Sequence, residues 1–215
     1  MTWRSVVDAL LDHPTVSAAL RVDLFEGREA LIVVPSSEGL GVYRHHGRTG
    51  LVARWAEHLG CRSPALSMPT DWRLIEELPV TPGGSIDVGA AATLVLSALP
   101  RLPCVEETTI DDEGRVHQDI RVPLEMAVFR GHFPTAPIVP GVEQVGWAVS
   151  FARRHFPLGR FRGVDRAKFR RVFQPADSLR LTLAWSGSAS TLRYNYICDD
   201  RECSTGRVSF HAGNI

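Results

Sequence analysis

The chain has 215 residues, with 24 basic and 24 acidic side chains and 44% hydrophobic residues. That length suits one large or two small domains with a real core, and the neutral balance without any nucleic-acid motif argues against a nucleic-acid binder. No apolar run nears the roughly 20 residues of a membrane span, the opening MTWRSVVDALLDHP lacks signal-peptide features, and four scattered cysteines make no disulfide scaffold, so a reduced, cytoplasmic protein is expected.

In chain order, residues 2–12 space their apolar side chains for a helix that His13-Pro14 stops. VSAALRVDLF and ALIVVP read as two strands around the turn EGRE. Residues 49–59 form an amphipathic pattern with Thr49 as N-cap, after a loop YRHHGRTG whose His45-His46 pair lacks the further ligands a metal needs. A strand DWRLIEEL leads to the turn-rich Pro79-Val80-Thr81-Pro82-Gly83-Gly84-Ser85-Ile86-Asp87. The alanine-rich stretch 88–99, with Pro100 and Pro103, reads as a domain boundary, giving domains 1–98 and 99–215.

The first domain resembles the small C-terminal subdomain of AMP-forming acyl-CoA synthetases through DHPTVSAALRV, ALIVVP and WRLIEELPVTPGGSID. The resemblance implies a lysine before Ile-Asp that supports the charge developing as a carboxylate attacks ATP. Ser85 stands there instead, and the chain's single lysine is Lys168. The ligase's large subdomain has no counterpart either. The expectation is a degenerate α+β ligase tail that does not adenylate and serves folding, docking or assembly.

Residues 104–111 and 115–122 pair as a hairpin around Asp111-Asp112-Glu113-Gly114, and a helix is expected from Gly141 to His155. SLRLTLAW, TLRYNYI and RVSFHA alternate with period two, and the helix is apolar on several sides. This pattern predicts an antiparallel sheet wrapped around one central helix, so the fold class is α+β throughout. Cys198 and Cys203 flank a hairpin turn and are read as paired thiols facing each other across strands. Basic groups crowd residues 153–171: Arg153, Arg154, Arg160, Arg162, Arg166, Lys168, Arg170 and Arg171 stand against the single acid Asp165. They read either as a solvated surface or as a dock for an anionic partner.

Gly131 to Val142 reads G-H-F-P-x-x-P-x-x-P-G-V, and residues 104–212 resemble the hot-dog dehydratases of 3-hydroxyacyl thioesters. The continuation Pro140-Gly141-Val142-x-Gln144-x-x-Trp147 is similar to the aryl polyene subgroup, some members of which are fused to an acyl-CoA synthetase. The resemblance implies a hydro-lyase in fatty-acid or polyene biosynthesis. It acts on acyl carrier protein or coenzyme A thioesters, needs no cofactor or metal, and forms a pocket between two subunits. His132 suits the base that removes the proton alpha to the carbonyl, and free amides near Gly141 and Val142 suit the thioester oxygen.

Phe133, Pro140, Gly141, Val142, Gln144, Gly146 and Trp147 are expected around the substrate, and Arg153, Arg154, Arg166, Lys168, Arg170 and Arg171 at the carrier. The family's acid falls fourteen residues after the histidine, where this chain has Gly146. Glu143, three residues earlier on the same helix face, is the candidate replacement. The alternatives are a hot-dog thioesterase and a non-catalytic acyl-binding or assembly subunit. In the latter case, or as a heterodimer, a second hot-dog chain provides the acid; the other expectation is a homodimer.

Overall fold

The computed structural model of the chain describes residues 4–62, 71–131 and 135–212. Two compact units emerge, Met1–Pro100 together with Leu124–Pro137, and Arg101–Pro123 together with Ile138–Ile215.

The first unit contains α1 (Arg4–Leu11), β1 (Val16–Asp23), β2 (Glu29–Pro35), α2 (Ser37–Arg62), β3 (Asp71–Leu74), α3 (Val88–Leu96) and, from the returning segment, α4 (Val128–Gly131). Strand β2 is central, antiparallel to β1 and parallel to β3. Its continuous run Ala30–Val34 is buried, as expected of a strand covered on both faces. Ile32 and Val34 pack with Val22, Ile75 and Ala91 of α3. Leu31 and Val33 point the opposite way, as strand alternation requires.

Three expectations change here. Helix α2 runs through the predicted YRHHGRTG loop, interrupted at Gly47, whose φ of 68° and ψ of −180° suit glycine alone. The alanine-rich stretch 88–99 is mostly the helix α3 rather than a linker, because alanines favour helix and the Asp87 carboxylate accepts from the Ala90 amide at 2.9 Å, and the chain passes from one unit to the other just after it, at Pro100. The expected strand DWRLIEEL is regular only over Asp71–Leu74.

Glu125, in the returning segment, is buried, its side chain 3% exposed. Its carboxylate accepts from Arg48 Nε at 2.7 Å and from the Leu74 amide at 3.3 Å, with Arg73 and Arg130 at 3.6 and 3.5 Å. Beside it the Leu124 amide donates to Glu76 at 2.9 Å, and the buried Tyr43 hydroxyl donates to the Leu124 carbonyl at 2.7 Å. Burial raises the Tyr43 hydroxyl well above the ordinary phenol range, so it stays a donor.

The second unit contains β4 (Cys104–Ile110), β5 (Val116–Arg121), α5 (Gly141–Ala152), β6 (Phe161–Phe169), β7 (Ser178–Ser186), β8 (Thr191–Cys198) and β9 (Arg201–Phe210). The sheet is antiparallel in the order β4-β5-β7-β8-β9-β6, which leaves β4 and β6 as edges. The predicted alternation holds: Leu179, Leu181 and Leu183 of β7 and Leu192, Tyr194 and Tyr196 of β8 are buried. Helix α5 is fixed to this face by the Tyr196 hydroxyl, which donates to the Gln144 carbonyl at 2.9 Å. The helix ends at Ala152 rather than His155, because the Arg154 and His155 amides turn back to carbonyls three residues earlier.

Strand β9 begins at Arg201, earlier than RVSFHA suggested, because Asp199 and Asp200 (φ 49° and 57°) make a two-residue turn of the primed kind. That register sets Cys198 opposite Arg201, so Cys198 and Cys203 are not cross-strand partners; both are free and buried. Burial pushes the Cys198 thiol up to about 11.

Gly206 of β9 lies under Tyr194, where an added Cβ would meet the hydroxyl at 2.5 Å and the ring at 2.6 Å. Gly206→Ala is therefore expected to cost about 2 kcal/mol through overpacking, measured by chemical denaturation. Glu125→Ala leaves Arg48 and Arg73 without their counter-charge and is expected to cost about 3 kcal/mol in the same measurement.

Candidate active site

His132 and Phe133 lie outside the described residues. The chain reaches them from α4, seven residues after the Glu125 anchor. Past them, Val139 bridges to Phe173, and Pro140 holds an extended ψ of 149° at the head of α5. The Pro140 carbonyl accepts from the Glu143 and Gln144 amides at 3.0 and 3.2 Å. The Gly141 and Val142 amides have no backbone acceptor among the described residues, as the first positions of a helix should not.

One face of α5 and one face of β6 line an open apolar cavity of about 590 Å³. Val142, Val145, Gly146 and Val149 line it from the helix, with Phe161 and Phe169 opposite. At Gly146, where the resemblance leads one to expect an acid, a Cβ would meet nothing within 4 Å, so the position is open space on an apolar wall. At Gly141 a Cβ would meet the Phe169 ring at 2.7 Å, so its lack of a side chain lets that ring lie against the start of the helix. Glu143 is exposed on the first turn and is not part of this lining.

Gln144 and Trp147 face elsewhere. Gln144 is buried and donates from its amide to the Val139 carbonyl at 3.2 Å. Trp147, also buried, donates to the Arg101 carbonyl at 3.0 Å and stacks near Phe173. Both side chains fix the helix within the unit, and neither lines the cavity.

The basic residues divide as well. A β-bulge at Asp165 places Arg166 on the opposite face of β6 from Val164, Ala167 and Phe169. Arg166, Lys168 and Arg170 line a separate cleft there, joined by Arg193 of β8 and Arg207 of β9. Arg171 instead pairs with Asp199 at 2.9 Å. Arg153 and Arg154 lie past the end of α5, over the rings of Phe210 and Phe151. Arg193 and Arg207 were not singled out in the sequence, because only strand register reveals which residues join Arg166.

A second polar group occupies β5 and its turn. His117 Nε2 is 3.0 Å from Asp111 and its Nδ1 is 3.0 Å from Thr182. The bonds from His117 and then Arg115 hold the Asp111 carboxyl well below the usual carboxylate range. No metal-binding cluster occurs among the described residues, and His45 is engaged with the Gly41 carbonyl at 2.8 Å. In the first unit Ser85 is exposed in a tight turn, its carbonyl accepting from the Thr81 amide at 2.7 Å. It presents no cation.

A family model described as ApeI dehydratase (ApeI-like) matches residues 107–207. A 3-hydroxyacyl-[acyl-carrier-protein] dehydratase FabZ from Deinococcus radiodurans is 35% identical over 97 residues, covering 40% of this chain and 67% of the relative. Among solved structures, the dehydratase heterocomplex ApeI:P from Xenorhabdus doucetiae is 26% identical with a TM-score of 0.47, covering 50% of this chain and 96% of that one. An acyl-CoA synthetase from Brucella canis is 25% identical with a TM-score of 0.33, over 41% of this chain and 16% of that one. The motif from Gly131 to Val142, the sheet that carries α5 and the matched relatives together make this chain a member of the FabZ/ApeI family of hot-dog dehydratases.

Proposed function

We propose that the chain dehydrates 3-hydroxyacyl thioesters, carried on an acyl carrier protein or coenzyme A, in a site that a second hot-dog chain completes. His132 takes the proton alpha to the carbonyl. The 3-hydroxyl, once protonated, leaves as water, and the electron pair of the broken C–H bond becomes the new double bond. The charge that develops on the thioester oxygen is met by the Gly141 and Val142 amides at the head of α5. The apolar cavity takes the acyl chain.

The observation that carries this reading is the open space over Gly146 in that cavity, beside the unpaired edge strand β6. Val142 is 75% exposed and Phe169 49%, an apolar surface next to free strand hydrogen-bonding groups. Such a combination suits a second chain pairing along the edge. That chain brings the carboxylate that position 146 lacks, as a different hot-dog subunit. Glu143 is the one acid in the first turn of α5 and is the alternative donor within this chain.

Residues 99–215 carry this chemistry. Residues 1–98 we assign to a ligase-tail ancestor that lost adenylation, since Ser85 supplies no cation. Their present role is support for the segment that leads to His132, through Arg48, Arg73, Glu76 and Tyr43.

The test follows formation of the enoyl thioester by absorbance. Gly146→Glu is expected to raise the rate of the chain alone at least tenfold, and adding His132→Ala to that variant is expected to abolish the gain. A folded Gly146→Glu variant with no gain overturns the reading. In the unaltered chain, a tenfold loss in Glu143→Gln assigns the acid to Glu143, and an unchanged rate removes it. Release of free thiol without enoyl product identifies a thioesterase instead.

A further inference from the structure

The outer side of β6, β9 and β8 carries an unusual row. Register sets Arg166 opposite Arg207 and Arg207 opposite Arg193, so three guanidinium groups stand side by side on three adjacent strands. Strands lie roughly 4.8 Å apart, so the row spans about 10 Å. Like charges directly opposite destabilise a sheet. Among the described residues no carboxylate pairs with any of the three. The two acids of the same cleft are engaged: Glu202 accepts from Arg170 Nε at 2.8 Å, and Asp165 accepts from the Ser209 hydroxyl at 2.9 Å. Lys168 sits one row along, opposite Thr205.

We propose that this cleft, of about 660 Å³, is a binding site for a multiply charged phosphate group of the pyrophosphate class, gripped by Arg166, Arg193 and Arg207 with Lys168 alongside. The planar guanidinium matches phosphate oxygens in pairs, and a row of three spans two linked phosphates. The bound anion removes the repulsion that the free row suffers. A protein partner fits less well, because the lining is almost entirely polar and offers no aromatic or aliphatic anchor of the kind a stable protein interface needs. The site is on the opposite face of β6 from the apolar cavity and adds to the dehydratase reading without depending on it.

Titration calorimetry on the full chain, without turnover, tests it. Inorganic pyrophosphate is expected to bind saturably, and Arg193→Ala and Arg207→Ala are each expected to weaken it at least tenfold. Coenzyme A and ADP as further titrants distinguish a nucleotide source from pyrophosphate alone. Arg207→Glu places a carboxylate between two arginines, so it is expected to abolish binding and raise the melting temperature of the free protein. A merely solvated surface shares the stability gain but offers no saturable pyrophosphate binding for these variants to weaken. Absence of saturable binding at millimolar pyrophosphate, or affinity unchanged by the alanine variants, overturns the proposal. So does binding of an acidic carrier protein to this face that pyrophosphate fails to displace.

Discussion

Glu125 holds the first unit to one arrangement. A carboxylate removed from water carries a desolvation cost of several kcal/mol, and a buried ion pair is often no more stabilising than apolar packing. What it supplies is specificity of position. Arg48 comes from the middle of α2, Arg73 from β3 and Arg130 from α4, so one carboxylate ties a crossover helix, a sheet edge and the returning chain to a single point. The Leu124 carbonyl and amide, used by Tyr43 and Glu76, fix the same backbone from two directions. The motif that follows therefore starts from a defined place rather than from a free loop.

A similar economy governs the second unit, where β6 serves two surfaces at once. Strand alternation alone would set Val164 on the side of Arg166 and Lys168; the bulge at Asp165 shifts the phase so that Val164 joins Ala167 and Phe169 on the apolar side while Arg166 and Lys168 fall on the other. Helix α5 meets only the apolar side. Its buried residues Gln144 and Trp147 spend their polar groups on holding the helix, leaving Val142 and Gly146 to shape the cavity.

Much of this was legible in the sequence. Alternation in SLRLTLAW and TLRYNYI marks strands with one buried face, and the density of the motif from Gly131 to Val142 leaves little freedom in reading the residues before α5. The expectation of a missing acid at Gly146 comes from the family resemblance, which sets that residue fourteen positions after His132, and not from composition or periodicity. The rest depends on contacts distant in sequence. Helix α2 crosses a polar, histidine-bearing stretch because tertiary packing around Tyr43 and Trp55 outweighs weak propensity. The Arg166–Arg207–Arg193 row exists only once strand register is known. Nothing local marks Glu125, an acid between Leu124 and Met126, as the partner of arginines more than fifty residues earlier.

The first unit is not continuous along the chain: it needs residues up to Pro137, after the strands β4 and β5 of the other unit have intervened. During synthesis the leading hundred residues thus leave the ribosome with Arg48 and Arg73 lacking a counter-ion, and that deficit ends only when Glu125 emerges. Maturation of the amino-terminal body is thereby tied to delivery of the segment that leads to His132.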